Sequence, residues 1–205
     1  MTRTHLFGFA SSALTMLAVA CACASSPASP AASIPTLQPP TPTVPAGYIL
    51  VESRFVLLRL AVPQGWTAHA ANHEDMQLGE VIVEYLPEDR DSVDLVRIAI
   101  MGGQLGTTPP SSALSEILSS PDLVESPGFE QLDTYSDLTI GGFPAAAAAA
   151  LVPSDSGIAY FTILAVAGDP TGPAYLLQWS GAASDEGRVR DRFSAMTPTI
   201  EFMRP

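Results

Sequence analysis

Two histidines four residues apart, His69 and His73, are the side chains of this sequence whose type and spacing best suit a metal ion. On a helix this spacing places both imidazoles on one face, as a metal site requires. Glu74 and Asp75 follow directly, but position 70 is Ala, so the HExxH order of a metalloprotease helix is missing. We interpret the segment as a solvated polar loop and expect no tight metal site, with His69 and His73 as weak metal candidates.

Other catalytic chemistries lack their essential side chains. All nine basic residues are Arg, and a chain without Lys can support neither Schiff-base chemistry nor a P-loop. No G-x-S-x-G sequence exposes a nucleophilic Ser. The carboxylates of residues 74, 75, 80 and 84 lack a D-x-[DN]-x-[DN]-G calcium loop. We therefore predict no catalytic residues and no cofactor, and we expect that the protein is not an enzyme. A metal-dependent hydrolase built on His69 is the less favoured alternative.

The charge balance excludes one class of partner. The formal net charge is −12, whereas nucleic-acid affinity comes from Lys and Arg side chains that neutralise phosphates. An acidic chain without Lys is also a poor match for an anionic membrane surface. We therefore expect no nucleic-acid partner.

The two cysteines of the chain, Cys21 and Cys23, follow an apolar run over residues 6–20. The run is shorter than the about 20 residues of a membrane-spanning helix and fits the hydrophobic region of a secretory signal. Residues 18–21, Ala-Val-Ala-Cys, resemble a bacterial lipobox, whose cysteine thiol receives a diacylglycerol before cleavage makes it the N-terminus. This resemblance implies lipidation at Cys21, palmitate incorporation, and a location on the extracytoplasmic face of the cell membrane. The alternatives are lipidation at Cys23 or ordinary A-x-A cleavage at residues 22–24, which would release a soluble protein.

The sequence predicts three parts: a signal peptide at 1–20, the lipidated cysteine and a Pro-rich tether at 21–46, and a globular domain at 47–205. Residues 24–46 contain seven prolines and no charged side chain, a composition that favours extended polyproline II. At about 3.1 Å per residue, such a tether reaches roughly 70 Å. The domain has no internal cysteine, and its about 160 residues are enough to bury an apolar core.

Apolar runs and period-two alternation predict the strands of the domain. They lie at 55–62, 80–86, 93–101, 132–140, 145–152, 158–167 and 174–179. Residues 80–86 and 93–101 are expected to form a hairpin, and Gly141-Gly142 is a tight-turn signal. The six alanines at 145–150 favour a helix by propensity. Their position between two turn signals favours a strand, and we predict a strand.

Two helices complete the predicted domain. The first covers residues 111–118. The second follows Ser184 as N-cap and presents Val189, Phe193 and Met196 on one apolar face. Three arginines of this helix, Arg188, Arg190 and Arg192, are interpreted as a solvated face. Because residues 158–167 are apolar on both faces, we predict an α+β fold, a three-layer α/β/α sandwich around a mainly antiparallel sheet.

The order of these elements resembles the PsbP-like family. The resemblance covers about residues 47–205 and includes Pro-Gln-Gly-Trp at 63–66, Ile-Gly-Gly-Phe-Pro at 140–144 and Ile-Glu-Phe at 200–202. That family includes the extrinsic photosystem II subunit, a Ran-binding nuclear import factor and many bacterial envelope lipoproteins. The resemblance implies an α/β/α sandwich in a non-catalytic binding or assembly role, with no shared catalytic residues.

The expected function is therefore that of a membrane-anchored binding or envelope-assembly module whose partner is an envelope protein. The alternative is a small-ligand receptor for a transporter. Its concave apolar site would use Trp66, Tyr160, Tyr175 and Trp179, although such aromatic side chains are more often plain core residues.

Overall fold

The computed structural model describes residues 43–70, 82–89, 93–101, 105–153 and 159–203. These residues belong to one unit, Pro40–Pro205. The predicted signal peptide, Cys21, Cys23 and most of the predicted tether lie outside the described residues. The domain boundaries and the lipidation site therefore stay predictions.

The described chain forms ten strands and three α-helices, and short 3-10 turns flank the last helix. In order, they are β1 (Tyr48–Ser53), β2 (Leu58–Pro63), β3 (Trp66–Ala70), β4 (Ile82–Pro87), β5 (Leu95–Met101), α1 (Pro110–Leu118), α2 (Pro121–Val124), β6 (Glu130–Ile140), β7 (Phe143–Pro153), β8 (Ala159–Ala167), β9 (Ala174–Ala182), α3 (Glu186–Met196) and β10 (Glu201–Phe202). Among the described residues, no helix combines the length and the apolar composition needed to cross a bilayer.

The strands form two antiparallel sheets. Seven of them pair in the order β3-β4-β5-β9-β8-β7-β6, and β1, β2 and β10 form a smaller sheet with β2 in the middle. The predicted hairpin is confirmed as β4–β5, with Tyr85 opposite Val96. The predicted Gly141-Gly142 turn joins β6 to β7, and both glycines have positive φ. The predicted α+β fold with a mainly antiparallel sheet is confirmed.

Strand β8 shows why the large sheet needs cover on both faces. Phe161, Ile163 and Ala165 alternate with Leu164 and Val166, and all five side chains are buried. The first three join the larger core cluster, which includes the apolar residues of α3 and β2. The other two join a second cluster with the apolar residues of α1. The two helices therefore lie on opposite faces of the sheet, as the two-sided apolar pattern predicts.

The alanine run forms the strand that its position predicts. Ala145–Ala150 all lie in β7, and each is at most 4% exposed. The intrinsic helix preference of alanine is a weak influence that tertiary packing overrides. Because alanine side chains are small, β7 also fills little of the space on either face of the sheet.

Helix α3 differs from the prediction at two points. It begins at Glu186, and its N-cap is Asp185, without a side-chain capping bond. Ser184 is therefore not the N-cap, because the chain leaves β9 through a 3-10 turn, Ala183–Asp185, which contains this residue. Arg192 is only 5% exposed, so the interpretation of all three arginines as a solvated face was wrong. Position 192 lies three residues after Val189, which places Arg192 on the buried face of the helix.

Candidate functional site

Ion pairs between distant parts of the chain engage several charged side chains of the domain. Arg97 of β5 donates to Glu84 of β4 at 2.7 Å. Arg190 of α3 donates to Asp133 of β6 at 2.6 Å and also to the hydroxyl of Tyr135. The hydrogen bond that Arg190 donates to the Asp133 carboxylate is the main reason that the pKa of Arg190 is raised above its ordinary value. These charges join strands and helices to one another, which is a structural role.

The most deeply buried ion pair joins α3 to the segment before β5. Arg192 Nη2 donates to Asp94 Oδ1 at 2.7 Å, and Arg188 Nη1 lies 3.6 Å from the other carboxylate oxygen. The Arg192 guanidinium also lies 5.3 Å from the ring centroid of Trp66, a cation–π distance. Gly181 of β9 makes room for the pair, since a Cβ there would lie 2.7 Å from Asp94 Oδ1.

The structure places His69 in a strand. His69 lies in β3, is exposed, and its Nε2 is 2.9 Å from Thr67 Oγ1. A shared helix face for His69 and His73, which the four-residue spacing would give on a helix, therefore does not apply to His69. His73 and residues 74, 75 and 80 lie outside the described residues. In the part of the chain that the structure describes, no group of three or more His, Cys, Asp or Glu side chains is placed to hold a metal ion.

The four aromatic residues considered for a ligand site lie in different places. Tyr175 and Trp179 are each 1% exposed and belong to the larger core cluster. Trp66 packs against the edge of that cluster. Tyr160 precedes Phe161, whose side chain is in the core, and so points to the opposite face of the sheet. These side chains therefore do not converge on one concave surface.

A cleft of about 510 Å³ opens instead between the two short helices and the edge of the large sheet. We call it the α1–β6 cleft. Its walls come from α1, α2, β6 and β7, and the described side chains that line them carry no charge. The residues that line it are Ser111, Leu114, Ser115, Leu118, Ser119, Val124, Phe129, Gln131, Thr134, Tyr135, Ser136, Ala146 and Ala147.

The alanine strand and the irregular edge strand together account for this cleft. Leu114 and Leu118 of α1 pack against Ala146 and Ala148 of β7, whose side chains end at Cβ. Beside them, β6 shifts register against β7 between Gln131 and Asp133 and again further along. Such irregularities bend an edge strand and re-aim its side chains. The short alanine side chains of β7 therefore leave space beneath α1, and this space stays open toward β6.

A second recess, of about 320 Å³, lies on the part of the same sheet face near Tyr160. Its floor is a row of polar side chains from β5, β8 and β9 that hydrogen-bond to one another. Gln178 Nε2 donates to Ser180 Oγ at 2.9 Å, and Ser180 Oγ lies 2.8 Å from Thr162 Oγ1. Arg97 Nη1 donates to Gln178 Oε1 at 3.4 Å. This network satisfies its own groups, which explains why polar residues occupy that part of the sheet.

A third recess, also of about 510 Å³, is lined by Phe143, Asp169, Tyr175 and Phe202 among other residues. Asp169 Oδ1 accepts hydrogen bonds from the backbone N–H and the hydroxyl of Thr171, at 2.8 and 2.7 Å. This recess therefore contains a carboxylate, whereas the α1–β6 cleft is uncharged and has an apolar floor.

Burial changes the titration of two tyrosines on the core side of the sheet. Desolvation raises the pKa of Tyr85, and a hydrogen bond with Ser53 offsets part of that rise. Desolvation alone raises the pKa of Tyr175. Both belong to the larger core cluster, and neither lines the α1–β6 cleft.

Comparison with known proteins identifies the fold. No protein-family model and no curated protein sequence matches the chain. Among solved structures, the chain is similar to cyanobacterial PsbP (CyanoP) from Synechocystis sp. PCC 6803, with a TM-score of 0.57 and 10% identity over 85% of this chain and 99% of that one. A second match is LpqN, involved in cell envelope biogenesis of Mycobacterium tuberculosis, with a TM-score of 0.42 and 17% identity over 77% of this chain and 91% of that one. The first likeness shows that the domain has a PsbP-like fold.

Proposed function

We propose that this protein is a lipid-anchored module on the extracytoplasmic face of the cell membrane that binds a partner or ligand without catalysing a reaction. Cys21 carries the lipid, residues 24–46 form the tether, and the α1–β6 cleft is the binding site. The domain is a three-layer α/β/α sandwich, an interpretation supported by the packing of α1 and α3 on opposite faces of the large sheet.

The uncharged α1–β6 cleft is the observation that carries the proposal. Proton transfer in catalysis requires a side chain whose pKa suits the reaction. The walls of this cleft supply hydroxyl groups, one amide and apolar surface, which are groups that bind and orient a ligand. Arg97 and Arg192 are engaged in ion pairs away from the cleft. Arg190, which contacts the cleft residue Tyr135, is paired with Asp133. This distribution of side chains favours binding over catalysis.

The tether suits a module that must meet its partner away from the anchor. An anchored domain on a tether searches a limited volume, which raises the effective concentration of both partners. An envelope protein that engages the domain in this way is the preferred partner. A small-ligand receptor is the second candidate, because the volume of the cleft falls within the about 300–1,000 Å³ of small-molecule sites.

Photo-crosslinking in living cells tests the binding role. Ser115 lines the cleft, whereas Ser112 is an exposed residue of the same helix outside it. A photoreactive phenylalanine analogue at position 115 is expected to form a discrete adduct in the membrane fraction. The same group at position 112 serves as the control and is expected to form none. No adduct from position 115, or the same adduct from both positions, would refute the cleft as the binding site.

A further inference from the structure

We infer that the α1–β6 cleft takes a neutral amphipathic small molecule, with an apolar chain or ring and a head group bearing hydroxyl or amide groups. This inference rests on the second candidate of the proposed function, the small-ligand receptor, and specifies the ligand class of the same cleft. It follows from three properties of the walls, namely an apolar floor, a hydroxyl-bearing rim and the sign of the surrounding charge.

The apolar end of the cleft is shaped for a hydrocarbon body. Leu114 and Leu118 are buried against the alanines of β7, and Phe129 packs beside them. Val124 of α2 also lines the cleft and is 57% exposed. A ligand that covers Val124 gains the hydrophobic stabilisation of burying that surface, about 25 cal/mol per Å².

Polar groups line both sides of this apolar floor. Ser111 and Ser115 lie one helical turn apart on α1 and face the cleft. Thr134 and Gln131 of β6 line the opposite side. Hydroxyl and amide groups both donate and accept hydrogen bonds. They therefore match a head group that also does both, such as a glycerol, a sugar hydroxyl or an amide.

The negative charge around the cleft disfavours an anionic ligand, and the uncharged walls disfavour a buried cation. The charged residues adjacent in sequence to its lining residues include Glu116, Glu125 and Glu130, which are exposed carboxylates that repel an anionic head group. The full chain, these carboxylates included, carries a formal net charge of −12. A cation would lose its hydration without meeting a carboxylate in the walls, and an unpaired charge is costly to bury. Arg190 touches the Tyr135 hydroxyl but is already paired with two carboxylates.

Thiol protection in the full chain, held in lipid nanodiscs, tests this inference. Ser115→Cys places a thiol at the cleft, and Ser112→Cys places one outside it on the same helix. A water-soluble maleimide is added with 1-monooctanoylglycerol, with octanoate, or with no amphiphile. Modification at each position is quantified by mass spectrometry of the proteolytic peptide that contains it. The two amphiphiles share a chain length and differ in the charge of the head group.

The neutral amphiphile is expected to slow modification of Cys at position 115 several-fold, whereas octanoate is expected to have little effect there. Cys at position 112 is expected to react at the same rate under all three conditions. Equal protection by octanoate would overturn the assigned ligand class. The absence of protection at position 115, or equal protection at position 112, would overturn the small-molecule site. If any of these results is obtained while position 115 still gives a specific crosslink in cells, the proposed binding function holds and only the ligand class assigned here is wrong.

Discussion

Removing the carboxylate of Asp94 is expected to be one of the most damaging single changes in the domain. The Arg192 side chain is 6% exposed and that of Asp94 is 12% exposed, and their charged atoms lie 2.7 Å apart. Asp94→Ala leaves the guanidinium of Arg192 buried without this carboxylate. Breaking a buried pair by removing one partner costs about 3–5 kcal/mol, and we expect a loss in that range.

A double-mutant cycle separates the pair from other effects of the substitution. Arg192→Met keeps an unbranched apolar stem beside Trp66 and removes the buried charge. The double variant Asp94→Ala/Arg192→Met is expected to be more stable than Asp94→Ala alone, because neither charge then needs to be desolvated. Arg188→Met is the matched control. Its side chain is 62% exposed, so its loss is expected to cost less than about 1 kcal/mol.

Urea denaturation with unchanged m-values measures these differences in the free energy of unfolding. A loss of stability in Asp94→Ala no larger than that in the Arg188→Met control would show that the buried Asp94–Arg192 pair is not the strong stabilising contact inferred here. Simple additivity of the two single losses in the double variant would contradict that contact as well, since residues in direct contact are expected to show coupling.

Three further predictions concern the backbone and the core. Gly141→Ala is expected to lower the melting temperature markedly, because Gly141 has a φ of +60° and a Cβ there would lie 2.6 Å from the Phe202 ring; the same melting temperature as the wild type would contradict the tight-turn assignment. Gly181→Ala is expected to cost about 1–3 kcal/mol by overpacking against the buried ion pair, and an unchanged urea midpoint would rule this out. Burial raises the pKa of Tyr85 and Tyr175 above about 10, so the folded state holds these protons more tightly than the unfolded chain. Their contribution to stability is therefore fully present up to about pH 10 and falls as the pH rises further. Urea titrations from pH 8 to pH 11 can detect this fall in the free energy of unfolding, and Tyr85→Phe is expected to make the fall smaller.

Much of the fold follows from local pattern. Residues 158–167 carry apolar side chains on both faces, and this pattern correctly predicts a central strand, β8, whose side chains are buried on both faces of the sheet. The Gly141-Gly142 turn follows from the backbone freedom that a tight hairpin demands. Strand β1 was not predicted, because its stability comes from pairing with β2, a tertiary contact that the sequence of Tyr48–Ser53 does not encode on its own.

The candidate site and the buried ion pair were missed for different reasons. Arg192 has the correct helical spacing from Val189, but an arginine is usually exposed, and its carboxylate partner lies almost one hundred residues away in the sequence. The α1–β6 cleft combines side chains from four elements, which no single motif contains. The run of alanines was its one visible signal, because small residues on a buried strand leave space above the sheet.

Native mass spectrometry of the protein released gently from its own membrane tests the central claim most directly. We expect a chain that begins at Cys21 and carries a diacylglyceryl mass, with a non-covalently bound partner or ligand. That bound mass is expected to be lost in Ser115→Trp, which fills the cleft, and kept in Ser112→Trp. A chain that begins after Cys23 without lipid would contradict the anchor. A chain with no bound mass, or one whose bound mass survives Ser115→Trp, would contradict the α1–β6 cleft as the binding site.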